Sequence, residues 1–188
     1  MMVGKRALFF LAASSLLLNS CAPSPVWVHP IGRAEEGSVD RRLAGAWGQT
    51  DHPVLFIGRS QDGWMSFAVS GRGNADEKIL GKMCVSKLNG RSFVNIRIHS
   101  PWDLQDFYVI AEYRIDRDNH LFVALPNHEF VRKALESKRL SGRIEENLSG
   151  SEVLVVTSDS HEIRAFILGS PKQDLFPESP SDVLKRFR

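Results

Sequence analysis

Cysteine is scarce in this chain: 188 residues carry two, Cys21 and Cys84. No Cys-x-x-Cys is present, which removes the usual zinc and dithiol motifs. The six histidines are His29, His52, His99, His120, His128 and His161, and no two stand at i, i+2, i+3 or i+4. A metal site would therefore have to assemble from distant segments. No Gly-x-Ser-x-Gly elbow supports a nucleophile. Gly71-Arg72-Gly73 lacks the third glycine and the following helix of a phosphate loop, and it reads as a turn. These gaps leave no catalytic residue, no metal and no cofactor to name, and the expectation is a protein that is not an enzyme. Internal repeats and low-complexity stretches are also missing.

Long apolar runs are absent as well. The longest, Ala7 to Leu18, has twelve residues, short of the roughly 20 that cross a bilayer. Lys5 and Arg6 precede it, and Leu18-Asn19-Ser20-Cys21 ends it. A positive start followed by a short apolar run has the form of a removed secretory signal. The ending resembles the lipobox of bacterial lipoproteins: an aliphatic residue, a tolerant position, a small residue and a cysteine. The resemblance implies cleavage after Ser20, diacylglycerol on Cys21 and an acyl chain on the new amino group. Two anchoring signals are what stable membrane attachment takes. Ala22 stands where such proteins carry an aspartate for inner-membrane retention. The implied location is the outer membrane, with the domain facing the periplasm.

Loss of residues 1–20 also changes the charge. The whole chain has 24 Lys+Arg and 22 Asp+Glu. Lys5 and Arg6 leave with the signal, so the remainder is balanced and offers no basic face for nucleic acid. With Cys21 lipidated, Cys84 has no partner for an internal disulfide. It reads as a small buried residue, with an intermolecular bridge as the alternative.

What the chain does have is alternation. Residues 21–40, the lipidated cysteine with Pro23, Pro25 and Pro30, read as an extended tether. Trp27 and Val28 in it either touch the bilayer or pack on the domain. From Leu43 to about Leu125, apolar residues recur with a period of two. Met65, Phe67 and Val69 share a face, as do Val94, Ile96 and Ile98, and Phe107, Val109, Ala111, Tyr113 and Ile115. That period marks half-buried antiparallel strands. Turn residues separate them, with Asn89-Gly90 suited to a type I′ hairpin. Asn127 caps a predicted helix to about Lys138, and Asp159 with Glu162 forms a capping box for a second. Val153 to Val156 reads as a buried strand. Residues 41–170 are the expected domain, and 171–188 a proline-rich tail with one last short helix.

About eight short strands point to a mainly β fold, an antiparallel barrel with one or two short helices near the C-terminal end, or else a β-sandwich. Gly45-Ala46-Trp47, ahead of this ladder, resembles the Gly-x-Trp opening of the lipocalins and their calycin relatives. In those proteins the indole plugs one end of the barrel and a late arginine packs over it. The resemblance implies that role for Gly45, Trp47 and Arg164, with Arg143 as second candidate. Small envelope lipoproteins with a Leu-x-Gly-x-Trp start and a late helix look similar.

Asn95, Arg97 and His99 alternate with apolar neighbours and face either solvent or a polar barrel interior. Phe67, Phe93, Phe107 and Tyr113 argue for a filled interior, and Val109 and Ala111 for a hollow one. The functional expectation is a membrane-anchored module that binds another envelope protein. The alternative is a carrier or sensor of a small apolar ligand.

Overall fold

The computed structural model describes residues 24–32, 39–49, 54–58, 63–70, 78–99, 106–146, 150–178 and 183–187. Residues 1–23, with the expected signal and Cys21, lie outside these residues.

The described residues form strands β1 (Val26–Trp27), β2 (Gly45–Gly48), β3 (Val54–Ile57), β4 (Met65–Ser70), β5 (Lys78–Leu88), β6 (Arg91–His99), β7 (Asp106–Ile115), β8 (His120–Ala124), β9 (Gly142–Glu146), β10 (Glu152–Val156) and β11 (Val183–Phe187). Eight of them close a barrel in the order β2-β3-β4-β5-β6-β7-β8-β11, with β11 returning to β2. Every contact round this ring is antiparallel. Closure leaves the ring no free edge and excludes the sandwich alternative. Asn89 (φ 48°) and Gly90 (φ 78°) turn β5 into β6, as the hairpin reading requires.

Strand β7 is shared between two sheets. One edge pairs with β6 along nearly its whole length. The other edge pairs with β8 over Glu112–Ile115 and with β1 at Tyr108. Here the barrel wall divides, and β1, β10 and β9 continue as a small side sheet in which β1 runs parallel to β10.

Helices α1 (His128–Glu136), α2 (Ser160–Gly169) and α3 (Lys172–Leu175) lie near the C-terminal end of the chain. Asn127 accepts from Phe130 N at α1, and Asp159 and Glu162 form the complete reciprocal box at α2. A core between the helices, the side sheet and the outer barrel wall buries Trp27, Phe93, Ile110, Val131, Leu154, Ile163 and Phe176. A separate core fills the barrel. Val153 and Val155 face a third cluster with Val26 and Phe107, so β10 is buried on both sides, as its continuous apolar run implies.

Three features differ from the sequence reading. The segment 24–31 is no tether: Val26, Trp27 and Ile31 are buried, because strand pairing with β10 satisfies a backbone that three prolines alone would leave extended. Residues 183–187 form no helix. Val183, Lys185 and Phe187 alternate with Leu184 and Arg186, and the strand closes the barrel. Phe93 points out of the barrel and Phe107 lies beyond its rim, so neither fills the interior.

Candidate functional site

The barrel interior is the first place to look for a site, and its own side chains occupy it. Trp47, Met65, Phe67, Met83, Val85, Val94, Ala111 and Tyr113 are buried together there. Phe67 pairs with Gly81 across β4 and β5, and a Cβ on Gly81 would lie 2.4 Å from the Phe67 ring. The glycine is the gap that the ring fills.

Trp47 lies in this core under an arginine, but not the one that the Gly-x-Trp resemblance implies. Trp47 is fully buried, and its Nε1 donates to the Leu43 carbonyl at 2.7 Å. The guanidinium of Arg186 stands 5.3 Å from the Trp47 ring centroid and donates to the Ala44 carbonyl. Gly45 has φ +142°, and a Cβ there would meet Arg186 Nε at 3.1 Å. Arg164, the residue expected over the ring, is exposed on α2, and Arg143 is exposed on β9. Chain order points to Arg164, the last arginine before the expected C-terminal helix. Register decides it: Arg186 is the direct partner of Trp47.

In the same core, the Tyr113 hydroxyl donates to Asp40 Oδ2 at 3.1 Å, and Arg42 holds the same carboxylate at 2.8 Å. The hydrogen bond from Arg42 is the main cause that lowers the Asp40 pKa. Burial, and then the Asp40 charge, raise that of Tyr113. The group is a neutral phenol against a paired carboxylate.

Asn95, expected in solvent or in a polar interior, lies in neither. It faces out of the barrel yet is fully buried, because residues 28–32 cross over it. Its Oδ1 accepts from Ile31 N at 2.9 Å and its Nδ2 donates to Ser86 Oγ at 2.9 Å. Cys84, its register partner, is buried on the same face, and burial raises its thiol pKa. That environment suppresses the thiolate and with it nucleophilic reactivity. The His99 side chain lies outside the described residues.

Two polar groupings went unnoticed in the sequence. Glu112, on the outer face of β7, accepts from Nε and Nη2 of Arg91 at 3.0 and 2.8 Å and lies 3.7 Å from Lys172. Lys172 and Arg114 also bind Glu178, which they hold below the usual carboxylate range. The depression among these residues encloses about 20 Å³, room for about one water and far from the 300–1,000 Å³ of a ligand site. The cluster fastens α3 and the segment after it to the barrel wall. No local spacing could have revealed it, since its members are up to 87 residues apart, from Arg91 to Glu178.

The second grouping is Asp116, Asp118 and His120 in the β7–β8 turn, with ligand-type atoms within 4.8 Å of one another. Asp-x-Asp-x-His spacing was the visible signal. Asp116 is committed to the turn itself, accepting from the backbone N of Asp118 and His120 and contacting His120 Nδ1 at 3.0 Å.

No family model, curated protein or solved structure matches the chain.

Proposed function

We propose that the chain is a lipid-anchored envelope protein whose barrel domain is a non-catalytic module for binding another protein. The observation that carries this reading is the filled interior. A barrel packed by Trp47, Met65, Phe67, Met83 and Tyr113 leaves its outer surface for recognition, whereas a carrier needs an internal cavity.

The anchoring half of the reading rests on Leu18-Asn19-Ser20-Cys21, with Ala22 favouring the outer membrane and a domain turned to the periplasm. The fold supports a short attachment. Ser24 is already buried, so three peptide steps link it to Cys21. At about 3.3–3.6 Å per residue they reach about 10 Å. The body would ride against the membrane instead of hanging from a long leash. Anchoring of this kind concentrates a module near its partners.

Native mass spectrometry of the protein drawn from the envelope in mild detergent tests the module reading. A stoichiometric protein adduct is the expected result. A reproducible small-molecule adduct on the barrel would replace the module with the carrier.

A further inference from the structure

Among the described residues, the outer surface of the barrel carries a continuous apolar row. Five register partners on adjacent strands face outward in a row: Phe187 on β11, Ala46 on β2, Phe56 on β3, Ala68 on β4 and Leu80 on β5. The large members are exposed, Phe56 by 47%, Leu80 by 73% and Phe187 by 45%. The helices and the side sheet cover the other side of the barrel. Scattered exposed apolar residues mean little, but a contiguous row of them marks an interaction surface.

From this row we infer a docking site for an amphipathic helix of a partner protein, apolar along one face and acidic beside it. The inference deepens the module reading and rests on it. Large and small residues alternate along the row, so Ala46 and Ala68 are notches between the ridges Phe187, Phe56 and Leu80. The notches are two strands apart, about 10 Å at the usual strand spacing. Helix positions i and i+7 are about 10.5 Å apart. An added strand repeats on one side every roughly 6.8 Å and fits the notches poorly. Lys82 and Lys185 are exposed on the rows flanking the belt, and neither forms an ion pair among the described residues. Acidic residues beside the helix's apolar face would meet them.

Geometry disfavours two other occupants. Strand β3, the centre of the belt, is four strands from β7 in either direction and so stands opposite it. The chain enters the fold at β1, on β7. An eight-stranded barrel is about 16 Å across at ordinary spacing and tilt. The roughly 10 Å between Cys21 and Ser24 cannot carry a lipid round it, so the belt turns away from the anchoring bilayer. Two copies joined belt to belt would ring their seam with four lysines, a like-charge arrangement that opposes pairing.

The test places a photoreactive phenylalanine at position 56, 80 or 168 of the full chain in producing cells. Leu168 is exposed on α2, away from the belt. The expected result is a protein adduct from positions 56 and 80. Its cross-linked peptide should be an amphipathic helix with apolar residues seven apart and acidic neighbours. Adding Lys82→Glu and Lys185→Glu should lower the yield several-fold at unchanged protein level. A lipid adduct, a second copy of this chain, a peptide of another kind, or equal yield with the two glutamates overturns the belt assignment. Protein adducts from position 168 alone remove the belt but keep the module reading, and silence at all three positions removes both.

Discussion

The guanidinium of Arg186 covers the indole of Trp47 at 5.3 Å and reaches past Gly45 to the Ala44 carbonyl. The last strand thereby locks the first strand of the barrel. Arg186→Ala should cost about 1–2 kcal/mol, the sum expected of a partly exposed cation–π contact and one hydrogen bond. Trp47→Ala should cost about 3–5 kcal/mol through the cavity it leaves. Urea midpoints at unchanged slope measure both. An Arg164→Ala variant should stay within about 0.5 kcal/mol of the parent, as exposed positions generally do.

Phe67 and Gly81 form a second lock, inside the barrel. A side chain on Gly81 must displace the Phe67 ring or the backbone. Gly81→Val should therefore destabilise by about 1–3 kcal/mol, the usual cost of overpacking. The same denaturation series measures it. A variant as stable as the parent would mean that the interior has spare room, which would restore the carrier.

Asp40 and Tyr113 contribute to the response to pH at its two ends. The folded Asp40 pKa lies below its reference of 3.8, so its contribution is present above that pH and is lost as the pH falls through the folded value. The folded Tyr113 pKa lies above its reference of 10.0. Its contribution is complete below pH 10 and is lost as the pH rises beyond it. Midpoints should fall at both extremes, and Asp40→Asn should flatten the acid limb. Tyrosinate absorbance on alkaline titration should show one tyrosine ionising above the ordinary range, and Tyr113→Phe should remove it.

Asn95 holds the crossing segment to the wall. Asn95→Ala leaves Ile31 N without its acceptor and should cost about 1–3 kcal/mol. Alkylation of Cys84, the buried register partner of Asn95, should be slow in the parent and faster in this variant. Equal rates would show that residues 28–32 do not shield it.

The sequence made the barrel legible wherever one face of a strand is buried and the other wet. Residues 65–69 and 107–115 announce themselves by a period of two, and Asn89-Gly90 and Asp159-Glu162 by local chemistry. Segments whose surroundings are set by distant chain were not legible. Val26-Trp27 is too short to show a period. Val183 to Phe187 alternates, but proline neighbours and a 58-residue gap after β8 hid its place in the ring. Arg186 was missed with it. The apolar belt was equally hidden, because Phe187, Ala46, Phe56, Ala68 and Leu80 become neighbours only through register.

Cys21 bears the central claim, that this barrel is a module held at a membrane by lipid. Intact-mass spectrometry of the protein extracted from the envelope tests it most directly. The account predicts a chain beginning at Cys21 and heavier than its polypeptide by a diacylglycerol and one acyl chain, and loss of that mass and of membrane association in Cys21→Ser. An unmodified chain, or one retained firmly on membranes as Cys21→Ser, would contradict it.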